Sequence, residues 1–202
     1  MTGGSGHGKS WILPRSPSPS FMTFRRTTRC RRWPRACWPR RRRSFAVSGV
    51  SLGGYVAMEM VRQAPDRVLR VALFGTRASM TMRPRTVDGQ GLLATAPHAD
   101  PRLTAIVAGP VQAMADRVGK AVFERQQRAL LERPDISDAI AAIHVPTLVA
   151  VGDRDRICTP DDARALATLI EGARFHELRG CGHLAPLERP GEVTALLRNW
   201  LR

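Results

Sequence analysis

The sequence predicts an α/β fold, in which a mostly parallel sheet carries flanking helices. Apolar runs of five or six residues, rich in β-branched side chains, alternate with helical patterns. Such runs are typical of parallel strands that are buried on both faces. The pattern predicts strands at 45–50, 69–74, 147–151 and 173–178 and helices at 52–63, 161–170 and 191–201.

The first predicted strand runs directly into the Gly-x-Ser-x-Gly pattern of residues 49–53, and a helix pattern follows at once. This is the form of a nucleophile elbow, a strained turn that projects the hydroxyl of Ser51 clear of the backbone. Gly49 and Gly53 are expected to let the strand and the helix approach without colliding Cβ atoms. A helix that begins at Leu52 would point its N-terminus at a developing oxyanion. Taken alone, the pattern also fits a structural glycine-rich turn.

The strand predicted at 147–151 is closed by Gly152 and Asp153, which favours a buried strand that ends in a loop. Asp155 lies just beyond its carboxyl end, where open α/β sheets place functional groups. Asp153 competes with Asp155 for any such role, and either residue could instead cap the loop. On the local pattern alone both residues stay open.

The last predicted strand is followed by Gly-Cys-Gly-His-Leu-Ala-Pro at residues 180–186. His183 is therefore a glycine-flanked histidine in a loop, whereas His176 lies inside the strand pattern and is expected on a strand face. Ser51, Asp155 and His183 each follow a strand, and they occur in the order nucleophile, acid, base. This is the chain order of the triad in one large class of serine hydrolases.

Over residues 45–202 the chain resembles the C-terminal two-thirds of an α/β-hydrolase-fold enzyme, and most of all the small ester, enol-lactone and C–C bond hydrolases. The resemblance rests on 51–67, 143–160 and 181–190. It implies that Ser51 is the nucleophile, that His183 is the general base and that Asp155 orients the imidazole. It also implies that the Leu52 backbone N–H is an oxyanion donor.

The activity that this resemblance implies is acyl transfer from a small carboxylic ester or lactone to water, without a metal or organic cofactor. The family's first strands, and the loop that supplies a second oxyanion donor, are expected to be missing, which would impair turnover. Residues 45–202 would form the partial hydrolase domain, with the lid at 77–142. Within that lid, 103–131 is predicted to be helical.

The first 44 residues differ in composition from the rest of the chain. They contain twelve Lys and Arg and no Asp or Glu, so they carry +12 of the formal charge of +15. Prolines and arginine runs interrupt any regular period, and we expect this segment to be mostly disordered. It could bind nucleic acid or acidic surfaces through phosphate contacts, which is the alternative to a hydrolase function. It could also be a transit peptide.

Two further interpretations concern the same segment. Residues 3–10 match a phosphate-binding P-loop pattern, but neither a preceding strand nor a following helix is predicted, so this interpretation is rejected. Residues 6–10 instead resemble the loop after the fourth strand of α/β hydrolases. Because family-like sequence resumes abruptly at residue 45, a shifted reading frame across 11–44 would explain the arginine-rich composition.

The remaining sequence features limit localisation and partners. No apolar run is long enough for a membrane span, and a secretory signal is not predicted, so a cytoplasmic protein is expected. The cysteines at 30, 37, 158 and 181 contain no Cys-x-x-Cys pair, so neither a metal site nor a disulfide is expected. A small-molecule substrate is the predicted partner, and the oligomeric state stays open.

Overall fold

The computed structural model describes residues 44–78, 101–131, 140 and 143–202 of the chain. Most of the arginine-rich segment and large parts of the predicted lid therefore lie outside the described residues. Within them, four strands form one parallel sheet in the order β1-β2-β3-β4. The strands are β1 Phe45–Val50, β2 Val68–Phe74, β3 Thr147–Gly152 and β4 Arg174–Leu178.

Helices connect and cover these strands. They are α1 Leu52–Gln63, α2 Pro101–Val118, α3 Lys120–Leu131, α4 Pro160–Leu169, α5 Ala185–Glu188 and α6 Pro190–Trp200, with a short 3₁₀ turn at Pro65–Arg67. Each of the four predicted strands and each of the three predicted helices of the main domain is confirmed to within one residue at either end. The α/β class with a parallel sheet is therefore confirmed.

The helical prediction over 103–131 is confirmed, and the structure divides this segment into two helices, α2 and α3. Gly119 separates α2 from α3 and has a φ of +75°. Its N–H still donates to the Ala115 carbonyl at 2.8 Å, so Gly119 closes the last turn of α2 in a left-handed conformation. Glycine adopts this conformation easily because it has no Cβ. The apolar periodicity across 103–131 does not reveal such a change in a backbone dihedral.

The core has two layers, one on each face of the sheet. Successive side chains of a strand point to opposite faces of the sheet, so those of β2 pack alternately into the two layers. Val71 and Leu73 pack with buried residues of α1 and α4, whereas Ala72 and Phe74 pack with residues of α5 and α6. Both faces of the central strands are thus covered, which explains why their sequences are continuously apolar rather than alternating.

The parallel arrangement brings the carboxyl ends of all four strands to one edge of the sheet. Ser51 follows β1, Gly75 follows β2, the loop with Asp155 follows β3, and the loop with His183 follows β4. The acid loop continues into α4, whose first turn is closed by a reciprocal capping box between Thr159 and Asp162. This edge is the place at which the candidate residues can meet.

Candidate active site

The turn at Ser51 is strained and is held by its neighbours. Ser51 has φ +50° and ψ −116°, and among the described residues it alone combines a positive φ with a side chain. Its N–H donates to the Phe74 carbonyl at 2.8 Å, and its carbonyl accepts from the Gly54 N–H at 2.9 Å and from Thr76 Oγ1 at 3.2 Å. The hydroxyl makes no capping bond to α1, so it is not consumed by the helix it precedes.

The glycines around this turn differ in how closely the backbone approaches them. A Cβ on Gly49 would lie 2.2 Å from the backbone of Gly53, which confirms that strand and helix meet there. A Cβ on Gly53 would meet no atom of the described chain within 4 Å, so the expectation of a steric need at that position is wrong. The steric need for glycine lies at Gly54 instead, because a Cβ there would lie 2.0 Å from Thr76 Oγ1.

Asp155 and His183 form a buried pair. His183 Nδ1 lies 2.8 Å from Asp155 Oδ2, and the two side chains are 5% and 0% exposed. Asp155 Oδ1 accepts from the backbone N–H groups of Ile157 at 2.8 Å and Cys158 at 2.9 Å. An ionised carboxylate only accepts, so in this arrangement Nδ1 carries the proton and the opposite nitrogen, Nε2, is left to act as a base.

The segment Phe74–Thr76 joins this pair to the serine turn. The Phe74 carbonyl accepts from the Ser51 N–H, and the Thr76 hydroxyl donates to the Ser51 carbonyl. Between them, a Cβ on Gly75 would lie 3.1 Å from both Asp155 Oδ2 and His183 Nδ1. The structure thus brings Asp155 and His183 into direct contact and sets Ser51 at the same edge through β2. Within the described residues, the Ser51 hydroxyl makes no hydrogen bond to the imidazole.

The two competing candidates lie elsewhere. Asp153 is exposed, and its Oδ1 accepts from the Cys181 N–H at 3.0 Å instead of meeting an imidazole. Partial burial acts to raise the pKa of Asp153, but hydrogen bonds from Gly180 and Cys181 and the positive charges of nearby arginines outweigh it and lower the pKa. His176 lies on β4, partly exposed, with Nε2 3.3 Å from Glu192 Oε1.

Glu188 is a buried carboxylate that the sequence reasoning missed. It is 6% exposed and accepts from the backbone N–H of Gly182 and, at 2.8 Å, from that of Leu184. The available signal was its position five residues after His183, within a stretch already recognised as family-like. The next residue adds a second tie, since Arg189 Nη2 donates to the Gly180 carbonyl at 2.9 Å.

Two thiols border the site but do not suit a nucleophilic role. Cys158 and Cys181 are both free and buried. Burial, together with nearby carboxylates, raises the pKa of both thiols well above the ordinary range, so they stay protonated at neutral pH. In the part of the chain that the structure describes, no three His, Cys, Asp or Glu side chains cluster as metal ligands would. None of the helices described there is long and apolar enough to cross a membrane.

Comparison with known proteins places this geometry in a family. A model of the alpha/beta hydrolase family matches residues 5–196. A pimeloyl-[acyl-carrier protein] methyl ester esterase of Aromatoleum aromaticum is 26% identical, with 84% of this chain and 79% of that protein covered. Proline iminopeptidases of Lactobacillus helveticus are 36% identical over 67 residues, which is 33% of this chain and 22% of their own length.

Solved structures give the same result. A thermophilic esterase from Thermogutta terrifontis aligns with a TM-score of 0.65 at 27% identity, over 79% of this chain and 65% of that chain. Est816, titled an N-acyl homoserine lactone degrading enzyme, aligns with a TM-score of 0.64 at 27% identity, over 77% of this chain and 67% of that chain. The chain thus spans about two-thirds of these structures. It belongs to the alpha/beta hydrolase family.

Proposed function

We propose that this chain is a serine hydrolase that cleaves a small carboxylic ester or lactone through Ser51, His183 and Asp155. The observation that carries the proposal is the buried contact of 2.8 Å between His183 Nδ1 and Asp155 Oδ2, at the sheet edge where Ser51 ends β1. A neutral imidazole whose Nδ1 is held by a carboxylate exposes a basic Nε2, which is what activation of a serine hydroxyl requires.

The reaction would proceed by acyl transfer. His183 Nε2 would accept the Ser51 proton while the hydroxyl oxygen attacks the substrate carbonyl, and the resulting imidazolium would be stabilised by Asp155. The same proton would then pass to the leaving alcohol, or to the ring-opened hydroxyl of a lactone. Water would hydrolyse the acyl-enzyme in the reverse sequence, with His183 again acting as the base.

The oxyanion of this reaction would meet the start of α1. Leu52 is the first residue of that helix, so its N–H has no carbonyl one turn earlier to bond. It adjoins Ser51 and lies at the positive end of the helix dipole, where a developing negative charge is favoured. One oxyanion donor contributes about 2.7–4 kcal/mol to transition-state stabilisation, which corresponds to 100- to 1,000-fold in rate.

The substrate class rests on the relatives. The esterase from Thermogutta terrifontis and the lactone-degrading Est816 are both 27% identical to this chain, and the relative from Aromatoleum aromaticum is a methyl ester esterase. Esters and lactones share the same reacting group, an acyl carbon with an oxygen leaving group, so one triad serves both. A small ester or lactone is therefore the substrate class that we assign to the site.

Active-site labelling of the full chain tests the proposal. A fluorophosphonate probe should label the wild-type protein, and labelling should disappear in Ser51→Ala and fall at least 100-fold in His183→Ala. Two matched controls use an exposed serine of β1 and the competing histidine of β4. Ser48→Ala and His176→Ala should both label at the wild-type rate. Labelling that persists in Ser51→Ala would overturn the proposal.

A second candidate function follows from the charge of the N-terminal segment. Twelve basic residues without an acidic one would bind phosphate groups of nucleic acid irrespective of base sequence. Affinity for duplex DNA of random sequence should then fall steeply with salt and vanish on deletion of residues 1–44. DNA binding that survives this deletion, or that is insensitive to salt, would rule this candidate out.

A further inference from the structure

Glu188 contacts the backbone on both sides of His183. One carboxylate oxygen accepts the N–H of Gly182, the residue before the histidine, and the other accepts the N–H of Leu184, the residue after it, at 2.8 Å. The carboxylate therefore bridges the N–H groups of the two residues that flank the histidine. Glu188 reaches them from the last turn of α5, which follows the histidine loop directly.

Glu188 is buried, so its carboxylate depends on these hydrogen bonds to replace the water that it has lost. A carboxylate that is 6% exposed has lost nearly all its water, which is costly unless other donors replace it. Backbone N–H groups that donate to an ionised carboxylate form strong, short hydrogen bonds. The two hydrogen bonds therefore stabilise the loop conformation in which both N–H groups point at the same carboxylate.

Other contacts also hold the histidine loop. Asp153 accepts the Cys181 N–H at 3.0 Å, and Arg189 donates to the Gly180 carbonyl at 2.9 Å. The Arg154 N–H donates to the Cys181 carbonyl at 2.9 Å, and the Leu187 N–H donates to the Leu184 carbonyl at 2.8 Å. Glu188 differs from these partners in that one carboxylate joins the backbone before and after His183. The imidazole must be placed to within a fraction of an ångström to keep the 2.8 Å contact with Asp155.

We propose that Glu188 is a positioning residue for the catalytic histidine: by bridging the Gly182 and Leu184 N–H groups, it holds His183 against Asp155 and toward Ser51. The catalytic part of this inference rests on the proposed function, whereas the orientation of His183 by Glu188 can be tested without it. Glu188 touches neither substrate nor imidazole in this role. It acts through the loop backbone.

The Glu188→Gln variant isolates this bridge with the smallest change. A glutamine of the same shape keeps one carbonyl oxygen but presents an NH₂ group to the second backbone donor, so one of the two bonds is lost. Glu188→Ala removes both bonds. Glu171→Gln is the matched control. Glu171 is 87% exposed, and its Oε2 lies 4.0 Å from His144 Nδ1, so this ion pair is far weaker than the Glu188 contacts.

Two readouts separate positioning from mere stability. The first is the rate of fluorophosphonate labelling at a temperature at which each variant is folded by circular dichroism. Because a displacement of about 1 Å in a reacting group costs about 100-fold, we expect Glu188→Gln to label 10- to 100-fold more slowly. With an ester substrate, the loss should lie in kcat while KM stays within about twofold of the wild-type value.

The second readout is the proton NMR resonance of the His183 Nδ1–H in its hydrogen bond with Asp155, identified by its absence in Asp155→Asn. It should move upfield or broaden beyond detection in Glu188→Gln and stay unchanged in Glu171→Gln. A wild-type protein that is not labelled would refute the proposed function, yet this resonance would still test the orientation of His183.

Three results would overturn the inference. The first is a folded Glu188→Gln protein with labelling and resonance like those of the wild type. The second is equal slowing in Glu171→Gln, which would indicate a nonspecific charge effect. The third is failure of both Glu188 variants to fold, which would make Glu188 a residue of general stability instead of a positioning residue.

Discussion

Gly75 packs against His183 so closely that a single methyl group would reach the imidazole. A Cβ on Gly75 would lie 3.1 Å from His183 Nδ1 and 3.1 Å from Asp155 Oδ2, the two atoms of the buried pair. Gly75 also has a φ of +53°, a conformation that favours glycine. The end of β2 thus forms the floor beneath the Asp155–His183 contact.

Gly75→Ala should therefore reduce labelling of Ser51 by at least tenfold, because the added methyl group pushes apart the two groups that must stay in contact. Gly172→Ala is a matched control for backbone strain, since Gly172 has a φ of +71° but open space around its Cβ position. Both variants should lose about 1–2 kcal/mol of unfolding free energy. Equal labelling of the two variants would contradict a packing role for Gly75.

The strain at Ser51 predicts a gain in stability when the residue becomes glycine. Its φ of +50° and ψ of −116° lie outside the regions that residues with side chains favour, and such strain costs about 1–3 kcal/mol. Ser51→Gly should raise the midpoint of thermal unfolding by a few degrees and abolish labelling. Ser51→Ala should also abolish labelling, but without the gain in stability, because alanine keeps the Cβ. A thermal midpoint lower in Ser51→Gly than in the wild type would refute the claim that the Ser51 backbone is strained.

Glycines 53 and 54 are adjacent in sequence but should respond in opposite ways to alanine. A Cβ on Gly54 would lie 2.0 Å from Thr76 Oγ1, so Gly54→Ala should lower the unfolding free energy by about 1–3 kcal/mol. Gly53 meets nothing within 4 Å among the described atoms and lies in α1, where alanine is favoured by up to about 1 kcal/mol. Urea unfolding of both variants measures the contrast, and equal effects would contradict it.

The lowered pKa of Asp153 predicts a pH-dependent contribution to stability. Because the carboxylate is favoured in the folded state, its contribution is present above the ordinary Asp pKa of about 3.9 and is lost as the pH falls through the folded-state pKa. Wild type should be more stable than Asp153→Asn at pH 6, and the difference in urea midpoint should shrink as the pH falls below the ordinary Asp pKa and through the lower folded-state pKa. A difference that persists at low pH would mean that the carboxylate charge is not its source.

The sequence by itself determined the order of elements and the residues at the carboxyl ends of the strands. Hydrophobic runs that are buried on both faces leave a clear pattern, so β2 and β3 were predicted to within one residue at either end. The Gly-x-Ser-x-Gly pattern also marked the position of the turn at Ser51, although Phe74 and Thr76 hold that turn in the structure. Local patterns did not reveal the left-handed conformation of Gly119, and they wrongly indicated a steric need at Gly53.

Only the tertiary structure decided which side chains meet. The contact of His183 with Asp155 rather than Asp153, and the approach of Gly75 to that pair, join residues on different loops. Such contacts depend on how parallel strands bring distant loops to one edge, and no periodicity along the chain records them. Sequence spacing could mark Gly53 and Gly54 as small, but only the packing of Thr76 against α1 showed which of the two has no room for a side chain.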